Sequence, residues 1–373
     1  MPDTIPNVPN LRFPGFEGEW ESRKIGEDCS VLMCKRIFAN QTADQGDVPF
    51  YKIGTIGAEP DAYIPRELFE EYKAKYNYPR KGEVMVTCAG TVGKTIVFDG
   101  ADSYYQDSNI VWLSNPKQLY INSFLNYFLS RVNWNKLNST TITRIYNDNL
   151  RELVIKYPSV KEQEKIVSQL SLLDQRIAVQ SKVIERYESL IKALYRHVMT
   201  EFRGDSVRLG DVVQIQKGKQ INSENLSSTG PYYVMNGGIT PSGYYTQFNT
   251  EANTISISEG GNSCGYVQFN EKPFWSGGHC YSLLYPSTNV DYRFLYHTLK
   301  YYQDDIMALR IGSGLPNIQK KDIESFQIMI PSLDEQKRYA SFFDALSSRR
   351  CMAEIVRTNY EIQKKYLIHN LFI

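Results

Sequence analysis

The chain has 373 residues, with 42 Lys and Arg against 41 Asp and Glu and a formal net charge of +1. That length supplies two or three domains with full hydrophobic cores. The charge balance excludes a chain held to a polyanion by general basicity, so any nucleic-acid contact must come from clustered basic groups.

Six cysteines, at 29, 34, 88, 264, 280 and 351, form no CxxC pair and no small-domain disulfide pattern, and read as reduced thiols. Met1-Pro2-Asp3 opens no signal peptide, and no apolar run approaches the roughly 18–20 residues of a membrane span. A cytoplasmic location without membrane contact is expected. Residues 1–20 are rich in Pro, Gly and Asn and predict an extended arm, which contains Leu11-Arg12-Phe13-Pro14-Gly15-Phe16. A first domain, residues 1–157 with this arm included, begins its fold near Trp20. Lys24-Ile25-Gly26-Glu27 leads in, and Pro49-Phe50-Tyr51-Lys52-Ile53 reads as a strand. Pro65 to Tyr76 is helical in character. Glu83 to Thr87 and Thr95 to Phe98 read as strands around a Gly90–Gly93 turn, and Ile110 to Leu113 as another. Ile121 to Val132 predicts a helix with Phe124, Leu125, Phe128 and Leu129 on one face.

A second domain, residues 204–330, repeats this order. Arg208-Leu209-Gly210-Asp211 matches Lys24-Ile25-Gly26-Glu27, Pro231-Tyr232-Tyr233 matches Pro49-Phe50-Tyr51, and Phe294-Leu295 matches Phe124-Leu125. The spacing between copies drifts from 184 to about 170 and back to 173, so the loops differ in length while the elements correspond. Loops on a shared rigid scaffold carry recognition, which suggests two similar tasks on different targets.

Each half closes on the same motif: Pro158-Ser159-Val160-Lys161-Glu162-Gln163, and Pro331-Ser332-Leu333-Asp334-Glu335-Gln336. A proline ends an extended run, and Ser then meets Glu three places on, the pattern of a capping box that starts a helix. The first helix, 158–203, carries Ile166, Leu170, Leu173, Ile177, Ile184, Tyr187, Ile191 and Leu194 at heptad spacing, with Gln180 filling the gap. At about 40 residues it is on the order of 60 Å long. The second, 331–373, keeps Tyr339, Leu346, Ala353, Tyr360 and Leu367 every seven residues, with Phe342 or Phe343 and Val356 on a weaker second seam that Arg349 and Arg350 interrupt. Two such seams bury each other most economically as an antiparallel pair. The expected class is α+β: two similar mixed α/β domains separated by two long antiparallel coiled-coil helices.

Several motifs imitate catalytic sites. Cys88 to Thr95 resembles a phosphate-binding loop, but lacks its first glycine and continues into a strand where that loop needs a helix. Pro60-Asp61 with Glu71 and Lys73 fits a nuclease spacing, yet Glu71 and Lys73 fall on different faces of a helix. No glycine-rich cofactor loop with an Asn/Asp-Pro-Pro-aromatic motif is present. No metal cluster and no Ser/His/Asp constellation has recognisable spacing. The pattern is that of a binding and positioning protein.

With the two Pro-Ser-x-x-Glu-Gln helix starts, the domain openings Ile25-Gly26 and Leu209-Gly210, and the Leu11–Phe16 arm in hand, the chain resembles the DNA specificity subunit of type I restriction–modification systems over essentially its whole length. The resemblance implies two target-recognition domains, each reading one half of a bipartite double-stranded DNA site, with the helix pair setting the gap. It implies a non-catalytic subunit without cofactors of its own. Such a subunit recruits two methyltransferase subunits that bring S-adenosylmethionine for adenine N6 methylation. Two restriction subunits add ATP- and Mg²⁺-dependent cleavage.

Base and phosphate contacts are expected from Lys35-Arg36 and from the run containing Thr140, Thr141, Thr143 and Arg144 in the first domain. In the second they are expected from Lys219-Gln220 and from Arg310, Ser313, Asn317, Gln319 and Lys320. A stand-alone nuclease or methyltransferase with an unrecognised site, and a coiled-coil scaffold that binds only protein, are the competing readings. The scaffold explains the helices but not two divergent copies of a compact domain.

Overall fold

Two prolines decide where the chain passes from sheet to helix. Proline has no N–H to extend a ladder, and Pro158 and Pro331 directly follow the strands Val154–Tyr157 and Gln327–Ile330. Ser159 and Ser332 then precede helices that begin at Val160 and Leu333. The structure, a computed structural model, describes residues 7–134, 144–201, 203–312, 314 and 316–373. The chain divides into two units: Met1–Val179 with Arg357–Ile373, and Gln180–Val356.

Unit 1 opens with β1 (Glu21–Lys24), α1 (Ile25–Asp28) and β2 (Ser30–Leu32). There follow β3 (Val48–Tyr51), β4 (Tyr63–Ile64), α2 (Arg66–Lys75), β5 (Val84–Thr87) and β6 (Thr95–Val97). Next come β7 (Tyr104–Tyr105), β8 (Ile110–Ser114), α3 (Asn122–Arg131), α4 (Asn147–Arg151) and β9 (Val154–Tyr157). Helix α5 (Val160–Glu201) then runs on into unit 2.

Unit 2 repeats the opening with β10 (Asp205–Arg208), α6 (Leu209–Val212) and β11 (Gln214–Lys217). It continues through β12 (Tyr232–Met235), β13 (Gly243–Tyr245), β14 (Thr254–Ser258), β15 (Val267–Asn270), β16 (Phe274–Ser276) and β17 (Cys280–Leu284). Then come α7 (Tyr292–Tyr301), α8 (Gln303–Ala308), α9 (Lys320–Glu324) and β18 (Gln327–Ile330), and α10 (Leu333–Leu371) returns to unit 1.

The strands of unit 1 are ordered β2-β8-β5-β6, β4-β3-β7 and β1-β9, and those of unit 2 are ordered β11-β17-β14-β15, β13-β12-β16 and β10-β18. The correspondence includes a parallel pair in each unit, β3 with β7 and β12 with β16. The paired domain openings have a steric basis. A Cβ on Gly26 would stand 2.8 Å from Arg151 Cβ, and one on Gly210 would stand 3.0 Å from Glu324 Cβ, so α1 packs on α4, and α6 on α9, only through glycine.

The glutamine of each helix start is fully buried and stitches three backbone groups together. Gln163 accepts from the Ile121 amide (2.8 Å) and donates to the carbonyls of Leu119 (2.9 Å) and Pro158 (3.0 Å). Gln336 accepts from Asp291 (2.7 Å) and donates to Asn289 (3.0 Å) and Pro331 (2.9 Å). The neighbouring glutamates differ. Glu335 accepts from the Ser332 amide at 3.2 Å, as a capping box requires. Glu162 does not fold back: its carboxylate receives Arg12 of the arm in a two-point pair at 2.9 and 2.8 Å. A bidentate charge-assisted pair is stronger than a single cap bond, so the arm takes the carboxylate. The Leu11 amide also bonds the Asn370 carbonyl oxygen near the end of α10.

Within each unit the start of one long helix meets the end of the other, so the pair runs antiparallel: Asp174 bonds Lys364 in unit 1, and Glu188 faces Arg350 in unit 2. Ile166, Leu170, Leu173 and Ile184 are buried, while Ile177, Tyr187, Ile191, Leu194, Leu346, Tyr360 and Leu367 are half-buried. Phe343, not Phe342, is the inward residue. Late in α5 the most buried positions are Tyr195 and Met199, the first of them one residue beyond the predicted Leu194. A straight α-helix drifts about 20° per heptad against a strict seven-residue repeat, and four heptads of drift move the buried stripe by nearly one residue.

Unit 2 fixes this end of the pair with a buried polar cluster. His297 Nδ1 lies 2.6 Å from the Tyr195 hydroxyl of α5, and Nε2 lies 2.8 Å from Asp344 of α10. Arg293 pairs with the same carboxylate. A neutral imidazole with its proton on Nε2 satisfies both bonds. Burial lowers the His297 pKa. Burial pushes Asp344 up, but the hydrogen bonds from His297 and Arg293 outweigh it and hold the group at about 2.

Two predictions arise from this fold. Gln163→Leu or Gln336→Leu strands three buried backbone groups and is expected to cost about 2–4 kcal/mol. A lower urea midpoint and faster exchange of the Ile121 or Asp291 amide would register it, and unchanged exchange at those amides would refute the bridging role. On acidification, the His297 contribution is present above its ordinary value of 6.5 and is lost as pH falls below it. The Asp344 contribution persists above its ordinary 3.8 and is lost towards pH 2. Asp344→Asn is therefore expected to melt lower at pH 7 and to lose less than wild type between pH 4 and 2, which thermal melts of both across that range check.

Candidate nucleic-acid interface

In each unit one edge gathers loops that follow the central strands, and the same backbone bonds knit both edges. In unit 2 the Ile318 amide bonds the Glu259 carbonyl (2.9 Å), and the Glu259 amide bonds that of His279 (2.9 Å). In unit 1 the Ile145 amide bonds Cys88 (2.9 Å), and the Cys88 amide bonds Asn109 (2.7 Å). The run 138–146, described only from Arg144 on, and the Arg310–Lys320 segment are thus anchored alike, through Ile145 and Ile318. Each anchors a buried isoleucine on the residue that directly follows β5 or β14.

Unit 2 brings four predicted residues together on this edge. The Lys219 amide bonds Ser276 (2.8 Å), and Trp275 Nε1 bonds the Lys219 carbonyl (2.9 Å). Gln220 follows beside Gly278. Asn317 bridges both Gly260 and Ile311, which places Arg310 next to them. Gln319 and Lys320 step away into the start of α9, where Lys320 pairs with Glu324 at 3.3 Å. In unit 1 Lys35 lies 5.4 Å from the Tyr76 ring centre, Arg36 donates to Asp107 at 2.8 Å, and Arg144 stands 5.9 Å from the Tyr146 ring. Thr140, Thr141, Thr143 and Ser313 lie outside the described residues.

Among the described residues Lys35, Arg144, Lys219 and Arg310 have no carboxylate partner, which leaves them free for phosphates. Lys35, Lys219 and Arg310 are exposed and Arg144 is half-buried. Glu259, an acid under the unit 2 edge, is buried and committed inward. Lys217 reaches its Oε1 at 2.5 Å, the Tyr281 hydroxyl lies 3.0 Å from the same oxygen, and His279 Nδ1 lies 3.4 Å from its Oε2. His279 and Trp275 in unit 2, and Asp107 in unit 1, belong to these edges and were missed in the sequence. The repeat offers a signal for His279, because it stands where Asn109 stands in the other copy.

The imitations of catalytic motifs separate in space. Cys88 to Thr95 is a turn between antiparallel β5 and β6, and Lys94 Nζ bonds the Ile56 carbonyl at 2.6 Å. Asp61, Glu71 and Lys73 each join different partners, Lys52, Lys75 and Asp102. No three His, Cys, Asp or Glu side chains converge as a metal cluster among the described residues. No helix there is long and apolar enough to cross a membrane.

The sequence profile of the type I restriction modification DNA specificity domain matches residues 17–188 and 205–359. A Haemophilus influenzae protein, provisionally named a type I restriction enzyme specificity subunit, is 52% identical over 145 residues, 39% of this chain and 38% of that one. A Mycoplasma pneumoniae protein, provisionally named a type I specificity subunit, is 32% identical over 167 residues, 44% of each chain. The matched stretch thus spans under half the length of either relative. The crystal structure of a type I restriction–modification S subunit from M. genitalium superposes with a TM-score of 0.70 at 21% identity, covering 98% of this chain and 99% of that one. At that identity the likeness concerns the fold.

The edges generate a test on duplex DNA. Lys35→Ala or Lys219→Ala is expected to weaken binding to every sequence alike and to reduce the slope of log affinity against log salt by about one. Gln220→Ala or Asn317→Ala is expected to cost about 1–3 kcal/mol of discrimination between matched and mismatched sites. Competition titrations at several salt concentrations read both, and unchanged salt slopes would remove these lysines from the interface.

Proposed function

The chain belongs to the type I restriction–modification DNA specificity family, and from that premise we propose that it is the non-catalytic, sequence-reading subunit of such an enzyme. Each unit reads one half of a bipartite site through the edge described above, and the long helices set the gap. The observation that carries this reading is the duplicated edge: identical backbone bonds hold different side chains, His279 against Asn109 and Glu259 against Cys88. One scaffold with two lining sets is what two different half-sites require.

The partners follow from the same premise. Two methyltransferase subunits dock on the helices and supply S-adenosylmethionine for adenine N6 methylation, and two restriction subunits supply ATP- and Mg²⁺-dependent cleavage. The assembly acts on DNA in the cytoplasm. Support for docking comes from large apolar side chains exposed on the helices: Leu172, Val179, Ile362 and Tyr366 in unit 1, and Leu190, Met352 and Ile355 in unit 2. Exposed apolar side chains mark an interaction surface where they form a contiguous patch.

The deciding experiment maps N6-methyladenine across the host genome with and without this gene. A split motif that vanishes on deletion is the expected result, and an unaltered map would refute the reading. Removing one heptad from each helix shortens the rise by about 10 Å. The methylated motif is then expected to keep both half-sites and lose roughly three base pairs of gap, at 3.4 Å per pair. An unchanged gap would show that the helices do not measure it.

A further inference from the structure

At the edge of unit 2 a carboxylate is buried with one oxygen left over. Oε1 of Glu259 takes Lys217 at 2.5 Å and the Tyr281 hydroxyl at 3.0 Å. Oε2 is buried and has no hydrogen-bond partner among the described residues. His279 Nδ1 stands 3.4 Å from it. A buried acceptor without a donor is costly, and a small turn of the imidazole supplies one.

The backbone of His279 is fixed where this turn can happen. Its amide donates to Asn236 Oδ1 at 3.0 Å, and its carbonyl accepts from the Glu259 amide at 2.9 Å. A Cβ on Gly277 would stand 2.6 Å from Asn236 Oδ1, so the loop makes this approach only through glycine. The His279 side chain is 59% exposed, on the same edge as Lys219, Gln220 and Asn317. With Nδ1 towards the buried acid, Nε2 is the nitrogen left to the open side.

Unit 1 carries none of these charges at the corresponding positions. Cys88 stands where Glu259 does, and Asn109 where His279 does. Lys217 and Tyr281 are cross-strand partners. Continuing β2 and β8 one pair past Leu32 and Trp112 brings Met33 and Val111 to their places. Four residues differ together, and unit 1 forms the same sheet with an uncharged set, so the sheet itself does not require the buried acid.

We infer that His279 reads one base pair of the half-site bound by unit 2, and that Glu259 is a positioning residue that fixes which face of the ring is offered. A carboxylate only accepts, so the nitrogen that meets Oε2 must carry the proton. In the neutral imidazole Nε2 is then an acceptor. The donors in the major groove are adenine N6 and cytosine N4, whereas guanine and thymine present acceptors. His279 therefore selects adenine or cytosine at one position. The amide of Asn109 both donates and accepts, so unit 1 is not held to that choice. The inference rests on the proposed function, because it names a specificity-determining residue within the edge proposed to read DNA.

The test returns full-length variants to the host from which this gene has been deleted and maps N6-methyladenine at base resolution. His279→Ala keeps both backbone bonds. It is expected to lose discrimination about tenfold or more at one position of one half-site, an adenine or cytosine in the wild-type motif, with the other half-site and the gap unchanged. In Glu259→Gln, Lys217 can only donate and so holds the amide oxygen. The amide N–H then faces Nδ1, the ring proton moves to Nε2, and the preference at the same position is expected to shift towards guanine or thymine. A loss of stability alone produces no such shift. Should Glu259→Gln fail to fold, the unit 1 set Lys217→Met, Glu259→Cys and Tyr281→Val removes the acid without stranding a charge, and is expected to relax that position as His279→Ala does. An unchanged motif in His279→Ala would overturn the inference, and so would relaxation at several positions, which would mark a structural role. An unshifted preference in folded Glu259→Gln would overturn the positioning role. A wild-type gene whose deletion removes no motif would overturn the functional reading and the inference together.

Discussion

A buried amide sits at the root of both long helices, and the geometry of each unit depends on it. Gln163 and Gln336 each meet two carbonyls and one amide N–H that helix and sheet leave over. A glutamine side chain has one acceptor and one donor group at its tip, so a single residue can satisfy all three. Glutamate could not donate, and an apolar residue could do neither. The loop that leads into α3 or α7 is thereby bound to the first turn of the long helix. The direction in which that helix leaves its unit is set at its first turn rather than by packing along its length.

Further along the helices the two units solve one problem with different chemistry. Unit 1 ties α3 to both long helices through Asp174, which meets the Tyr127 hydroxyl at 2.6 Å and Lys364 at 2.5 Å. Unit 2 ties α7 to both through His297, with a tyrosine from α5 and an aspartate from α10. In each case a polar contact from the shorter helix falls between the long ones. An apolar seam alone tolerates sliding by a heptad, whereas a hydrogen-bonded cluster does not. Here α5 and α10 exchange parts between the units, the aspartate coming from α5 in unit 1 and from α10 in unit 2, so the duplication includes the helices and their roles.

Much of this was legible from residues. The proline stops, the serine caps, the repeat of Ile25-Gly26 as Leu209-Gly210 and the heptad spacing are local signals, and the elements appear where they pointed. Long-range partners were not legible. Nothing near Glu162 announces that Arg12, 150 residues earlier, takes its carboxylate in place of the cap. The inward turn to Tyr195 and Met199 follows from helix geometry, which a strict heptad count ignores. The edges were legible only in part: Lys35-Arg36 and Lys219-Gln220 were expected at them, whereas His279 and Trp275 come from loops that have no motif of their own. Which side chain meets which base is a property of loop shape, and spacing along the chain carries no record of it.

The order of synthesis gives the closing of unit 1 a further meaning. Leu371 and Phe372 belong to the same core as Trp20, Phe124 and Ile166, and Phe124 stacks on Phe372 with ring centres 4.8 Å apart. Strands and helices through residue 179 emerge from the ribosome long before those last residues. At about 5–20 residues per second, the interval is on the order of 10–40 s. During it the first unit has its sheets but lacks a piece of its core, while the whole of unit 2 is made and can fold. The first unit to be made is thus the last to be finished, and its open apolar site is a natural place for a chaperone to wait.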